Sequence, residues 1–126
     1  MFKNIKTISS FSVKDIKKTC EFYGKTLGME ISDMPGMDDM IILNIAGGGE
    51  IVVYAKPDHE PATFTILNFP VDNIDNTVDE LIKRGVTFEQ YEGNLKTDEK
   101  GVFRGGPLVA WFKDPSGNIL SVLERK

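Results

Sequence analysis

The sequence predicts an α+β fold made of two copies of one βαβββ module, and three observations predict it. Phe11, Val13, Ile16, Thr19 and Lys25 recur as Phe69, Val71, Ile74, Thr77 and Lys83, each pair 58 positions apart. Each half runs from a β-branched strand into an amphipathic helix and on into short strand-like segments. A polar connector carrying Pro57 and Pro61 divides the halves. Self-similarity of this kind marks two copies of one supersecondary unit packed side by side. Paired copies enclose a cleft, and that cleft is where function is to be sought. Gly28 and Gly85 follow the repeat but stand one residue out of step.

In the first module, about residues 1–56, positions 5–13 alternate loosely and include β-branched side chains, which reads as a strand. Ser12 or Asp15 starts a helix to about Leu27, with Ile16, Cys20, Tyr23 and Leu27 at helical spacing on one face. Gly28 caps it, because the left-handed conformation costs glycine no steric clash. Strands are expected over 29–33, 40–45 and 51–55, separated by Pro35-Gly36 and Gly47-Gly48-Gly49. After the connector, 57–62, the second module occupies about 63–126 of the same single domain. It opens with a strand over 63–71 and a helix over 74–84, whose apolar face is Ile74, Val78, Leu81 and Ile82. Gly85 ends the helix and a strand is expected over 86–91. Residues 92–107, rich in glycine and mixed charge, form a loop long enough to be functional or mobile. Strands over 108–113 and 119–124 close as a hairpin around Asp114-Pro115-Ser116-Gly117-Asn118, strong turn chemistry.

A length of 126 residues suits one hydrophobic core, and 40% hydrophobic with 27% charged residues is ordinary for a soluble globular chain. A net charge of −4 weighs against a nucleic-acid partner, which is usually met by a basic stripe. No apolar run approaches a membrane span, and the first residues lack a signal peptide's apolar stretch, so no membrane partner is expected. Cys20 is the only cysteine and has no partner for an internal disulfide, which makes a reducing cytoplasm the expected location. Within a helix and without a CxxC neighbour, it reads as a small, partly buried residue rather than a nucleophile.

Four stretches carry a family resemblance. They are Phe11-Ser12-Val13-Lys14-Asp15-Ile16, the FYxxxLG pattern over 21–28, Asn68-Phe69-Pro70-Val71-Asp72-Asn73, and Trp111-Phe112-Lys113 running into the DPxGN turn. Together with the repeat, they make the chain resemble the vicinal oxygen chelate superfamily, the glyoxalase, bleomycin-resistance and extradiol-dioxygenase group, over nearly its whole length. The resemblance implies two modules paired pseudo-symmetrically into a curved mixed sheet enclosing a cleft. It also implies a homodimer and, in metal-dependent members, four ligands inside the cleft. Those ligand places fall on Ile8, Ile66, Ser121 and Val52 or Val53, with Glu50 the nearest acid. Isoleucine and valine offer no lone pair, and a lone serine is a poor ligand for a divalent ion. The expectation is therefore a member without the usual metal, and with no cofactor.

Period-two alternation sorts the strands. Ile66, Asn68 and Pro70 oppose Leu67, Phe69 and Val71; Ile119, Ser121 and Leu123 oppose Leu120 and Val122; Ile8, Ser10 and Ser12 oppose Thr7, Ser9 and Phe11. The cleft floor then mixes apolar residues with Ser10, Asn68 and Ser121, a surface for an uncharged or amphipathic small molecule. Side chains filling the cleft, or a second chain covering it, would give the same pattern. Trp111 and Lys113 share a face: the indole suits stacking or packing equally, and the ammonium could pair with an anion. Tyr54 and Tyr91 stand at strand ends, where a hydroxyl can reach a ligand. His59, the one histidine, sits in Asp58-His59-Glu60; its residue type serves proton transfer, although a lone loop histidine is more often surface decoration. Arg104, beside Gly105-Gly106, could close over an anion, but the spacing is not that of a P-loop. Asp98-Glu99-Lys100 is expected to face solvent.

The function that the resemblance implies, with its ligand places empty, is metal-free binding of a small organic ligand in the cleft, by sequestration. The alternative is a glyoxalase-like lyase, isomerase or oxygenase with relocated ligands drawn from Glu50, His59, Glu89 and Glu124. That alternative needs two or three of them to converge on one ion.

Overall fold

Asp15 and Asn73, 58 residues apart, start the two helices in the same way. In the computed structural model, which describes residues 1–125, the Asp15 carboxylate accepts from the Lys18 amide at 3.0 Å and the Asn73 side-chain oxygen from the Asn76 amide at 2.9 Å. Thr19 and Thr77 donate their hydroxyls to the carbonyls of those cap residues, at 2.7 and 2.9 Å. Such caps satisfy amide groups that a first helical turn leaves without partners. The repeat in the sequence is thus a repeat of hydrogen bonds.

The chain divides into two units, Met1–Glu60 and one that begins at Pro61. In the first, β1 (Ser9–Val13) leads into α1 (Ile16–Cys20), and β2 (Glu30–Met34), β3 (Met37–Ile45) and β4 (Gly49–Ala55) follow. They form a four-stranded sheet in the order β1-β4-β3-β2, with β1 parallel to β4 and the other pairs antiparallel. The second unit has β5 (Thr65–Val71), α2 (Ile74–Lys83), β6 (Val102–Phe103), β7 (Val109–Lys113) and β8 (Ile119–Glu124). Its order is β5-β8-β7-β6, again with one parallel pair, β5 with β8. Each module is therefore βαβββ, as its sequence implied.

Each sheet turns one face to its own core. Val13, Ile41, Leu43, Ile51 and Val53 are buried with Thr19 and Tyr23 in the first unit. In the second, Ala110, Phe112, Leu120 and Val122 are buried with Ile74, Val78 and Leu81. The alternation along the strands keeps the remaining face of each sheet available for other residues. The hairpin between β7 and β8 closes on Asp114, whose Oδ1 accepts from the amides of Ser116 and Asn118, both at 2.9 Å. That is the turn chemistry the Asp-Pro-Ser-Gly-Asn run encodes.

Four expectations need correction. The first strand begins at Ser9, not Ile5: Phe2–Ile5 closes a turn at 3.1 Å, and Ile5 and Ile8 stay exposed. β5 begins at Thr65 rather than residue 63, because its partner β8 begins opposite it at Ile119. The first helix is not uniformly α. After Cys20 it widens into a π-helical turn, Glu21–Thr26, in which the Leu27 amide reaches the Phe22 carbonyl at 2.9 Å. Its closing bond, from the Met29 amide to the Tyr23 carbonyl, spans one residue more than the corresponding bond from Val86 to Leu81. A π turn holds an additional residue, and this is why Gly28 and Gly85 fall out of step.

The fourth correction concerns residues 86–91, which form no strand. Phe88 makes a single bridge to Phe112, and the Glu89 amide donates to the Trp111 carbonyl at 2.8 Å. Farther along β7 the edge belongs to β6, with Val102 opposite Ala110 and Phe103 opposite Val109. Two separate segments thus share one outer-strand position. Gly101 lies where they meet, at φ +93°, and a Cβ there would come within 2.6 Å of the Phe88 Cβ. Only glycine permits that approach.

Candidate ligand-binding site

Trp111 is the centre of an aromatic cluster in the second module. On β7 it lies opposite Ser121 of β8, which in turn lies opposite Asn68 of β5, so the three form one row across the sheet. The Ser121 hydroxyl and the Asn68 side-chain oxygen are 2.6 Å apart, with the hydroxyl donating. Ser121 occupies the face that its parity assigned to it, yet it is 0% exposed. Its hydroxyl is therefore engaged by Asn68 rather than by solvent.

The segment after α2 supplies the walls. The Tyr91 ring meets Trp111 edge-on at a centroid distance of 5.4 Å, and Phe103 approaches the same indole at 6.4 Å. Edge-on packing suits the charge distribution of aromatic rings. Tyr91 is held by Thr97: its amide donates to the Thr97 hydroxyl at 2.9 Å, and the Thr97 amide donates to its carbonyl at 3.0 Å. Beside this cluster lies a hollow of about 370 Å³, lined by Trp111, Tyr91, Phe64, Leu95 and Ile119 with Thr63 and Thr65 at its margin. Lys113, opposite Ile119 at the end of β7, is paired with Glu89 at 3.3 Å. Phe64 and Leu95 were not singled out from the sequence. Leu95 is the one leucine in a polar, glycine-rich loop, which was the available signal.

Arg104 does not reach into this hollow. Its Nη2 lies 2.6 Å from Asp75 Oδ1 and its Nε 2.9 Å from Asp98 Oδ2. Lys100 adds bonds to Asp75 at 3.2 Å and Asp79 at 2.8 Å. Asp98-Glu99-Lys100, expected to face solvent, therefore gives two charges to a network that ties the loop to α2. Arg104 and then Lys100 hold the Asp75 carboxyl below its ordinary range. Burial pushes Asp98 upward, but the Val102 amide, Arg104 and the Lys100 amide outweigh it, and the net shift is down. Asp75 first, then Asp98, raises the Arg104 guanidinium.

The first module gathers a different set. Ser10 is exposed on the edge strand β1, opposite Val52, and Tyr54 lies opposite Ser12. The Ser12 Oγ and the His59 Nδ1 are 2.6 Å apart. Ser12, Tyr54 and His59 thus meet at the end of β1 and β4, with Ser10 two residues back on the same strand. Ser12 was placed on this face by parity but not picked out, since its partner lies 47 residues away.

The metal that the resemblance implies does not fit these residues. Ile8, Ile66, Val52 and Ser121 offer one side-chain oxygen among them, and that oxygen is bonded to Asn68. Glu124 accepts from the Ile74 amide at 3.2 Å, and Glu89 is paired with Lys113. Among the described residues no three His, Cys, Asp or Glu side chains group so as to hold an ion.

Known proteins share this architecture. The model of the glyoxalase/bleomycin resistance protein/dioxygenase superfamily matches residues 5–122. The chain is 30% identical to the uncharacterised protein YraH of Bacillus subtilis, covering 87% of this chain and 90% of that one. Among solved structures, a Bacillus anthracis protein assigned to the glyoxalase family aligns over all of both chains with a TM-score of 0.71 and 24% identity. TnmS3, an antibiotic binding protein from Streptomyces sp. CB03234, aligns over 98% of each chain with a TM-score of 0.69 and 23% identity. At such identities the likeness is one of fold. Among the described residues no helix is long and apolar enough to cross a membrane.

Proposed function

This chain belongs to the glyoxalase/bleomycin resistance protein/dioxygenase superfamily, and from that premise we propose that it binds and sequesters a small organic ligand without a divalent metal. The observation that carries this reading is the hollow of about 370 Å³ walled by Trp111, Tyr91 and Phe64. Its volume lies within the range of small-molecule pockets, roughly 300–1,000 Å³, and its apolar walls with a few polar margins are the usual composition of such sites. Trp111 offers a stacking face, Tyr91 and Lys113 polar contacts at the rim, and the Asn68–Ser121 pair a fixed polar row on the adjoining sheet. Arg104 contributes by ordering the segment that carries Leu95 and Phe103. In the first module, Ser10, Tyr54 and His59 stay candidates for polar contacts on their own sheet.

The fold that this chain shares with TnmS3, an antibiotic binding protein, supports the reading. The lack of donors at the four ligand places supports its metal-free character, and the absence of any group of three His, Cys, Asp or Glu among the described residues weighs against a lyase, isomerase or oxygenase that uses relocated ligands. The resemblance supports a homodimer and the single cysteine a cytoplasmic location; sedimentation at micromolar concentration tests the dimer.

Trp111 is the only tryptophan, so its emission reports on the site directly. Planar aromatic compounds able to stack on the indole are expected to quench it saturably, equally with and without EDTA. Tyr91→Ala should weaken binding about threefold to tenfold, the worth of one aromatic contact. Quenching that disappears with EDTA, or that ignores the Tyr91 substitution, would sink the proposal.

A further inference from the structure

The first module contains a separate cavity of about 350 Å³ beneath the turn between β2 and β3. Four sulfur-bearing residues border it: Cys20 at the end of α1, and Met34, Met37 and Met40. Three of the chain's five methionines and its only cysteine therefore line one hollow. The backbone explains how. Met34 and Met37 lie directly opposite each other across the Pro35-Gly36 turn, which sets their Cβ atoms roughly 4.5–5.5 Å apart on one side of the ribbon. Met40 also borders the hollow, but it lies opposite Tyr54 in the regular ladder with β4, so its side chain faces away from that of Ile41 and is not counted as a donor.

Methionine often serves as a flexible filler of core gaps. Here the space is not filled, and Met37 is 44% exposed at its mouth, which leaves an entry path. Thioethers and thiolates are soft donors that favour copper(I) over hard or borderline ions. Asp33 and Asp38 also line the cavity, but they do not join Cys20 in a three-donor group, so a divalent ion finds no adequate set. Desolvation first, and then Asp33, raises the Cys20 thiol; an entering cation would offset both.

We infer that this sulfur-lined hollow binds one soft monovalent cation of the copper(I) class, held by Met34 and Met37 together with Cys20. Binding exchanges the thiol proton for the cation, with the proton released to solvent and no change of oxidation state. The site is independent of the aromatic hollow, which lies in the other module.

Silver(I), a redox-inert stand-in, provides the probe. Anaerobic titration followed by native mass spectrometry should show one ion retained per chain against glutathione as competitor. The double variant Met34→Leu, Met37→Leu conserves volume and should keep its circular dichroism and melting temperature. It should lose at least roughly tenfold in silver affinity, no less than the loss of an outer-shell partner costs a metal site. Equal affinity in the double variant would mean that Cys20 alone holds the ion, and release of silver from the unaltered protein to glutathione would mean there is no site; either result overturns the inference. Trp111 quenching by organic compounds should be the same in the double variant, which separates this outcome from the fate of the ligand-binding proposal.

Discussion

The two modules share one hydrogen-bonded plan and differ at its outer edge. In the first, β2 is a single continuous strand, and its turn with β3 brings methionines together over Cys20. In the second, the equivalent edge is shared by Phe88 and β6, and the segment between them supplies Tyr91 and Leu95 to an aromatic hollow. The repeated residues, the cap at 15 and 73 and the threonine at 19 and 77, build the frame. The chemistry lies where the repeat fails. In a duplicated fold, then, the segments without a counterpart are the ones to search for a site.

The largest effect that would break this comparison is expected in the second module's core. Phe112 is fully buried and packs on Phe88 at a centroid distance of 5.4 Å, so it supports both the sheet and the divided edge. Phe112→Ala should cost roughly 3–5 kcal/mol, through lost burial plus the cavity left behind. Urea unfolding followed by Trp111 emission measures it; a loss below about 1 kcal/mol would mean that the edge rests on something other than this pair.

Glycine substitutions sharpen the contrast. Gly28 and Gly85 both have positive φ and open space where a Cβ would go. Alanine at either should therefore cost only the left-handed strain, about 1–2 kcal/mol, and equally in both modules. Gly101→Ala must bear the same strain and a 2.6 Å clash with Phe88, so it should lower the melting temperature clearly more than either. Equal losses at all three would show that the two edge segments have room to part.

How much of this was legible follows the same division. The caps, the αβ transitions and the Asp114 turn were readable because each is encoded within about four residues. The π turn left only the one-residue offset of Gly28, a trace whose meaning depends on a hydrogen-bond pattern. The divided edge was hidden, since the apolar pattern over 86–91 is that of an ordinary strand and nothing in it reveals that β7 pairs with a later segment. Arg104 could only be read as a loop cation able to close over an anion, because its partner Asp75, 29 residues away on α2, is invisible to local reading. The face of Ser121 was readable; its burial was not.

The caps give the next, smaller test. Asp15→Ala and Asn73→Ala each remove one side-chain acceptor from a first-turn amide, and each should cost about 1 kcal/mol. Matching losses in chemical denaturation would show that the repeat is energetic as well as geometric. A loss confined to Asn73 would mean that the short α1, which passes directly into a π turn, is held mainly by Thr19 and Tyr23.

The smallest expected effect is confined to the second module and depends on pH. Asp75 is held below its ordinary range chiefly by Arg104, and Asp98 is shifted in the same direction once the Val102 amide and Arg104 have outweighed burial. Both carboxyls thus stay charged in the folded chain at a pH where the unfolded chain takes up protons. Their contribution is complete above the unfolded value, about 3.9, and is lost as pH falls through the lower folded values. The groups are partly solvated, so solvent screening limits the worth of the pairs to less than about 1 kcal/mol. Arg104→Gln should lower the urea midpoint slightly at pH 6 and not at all near pH 2, bringing the two curves together on the acid side. High salt should narrow the gap at pH 6, because exposed charges are screened. Curves that stay parallel down to pH 2 would mean that Arg104 orders the loop through packing of its stem and not through its charge. The loop's attachment to α2 would then need another explanation.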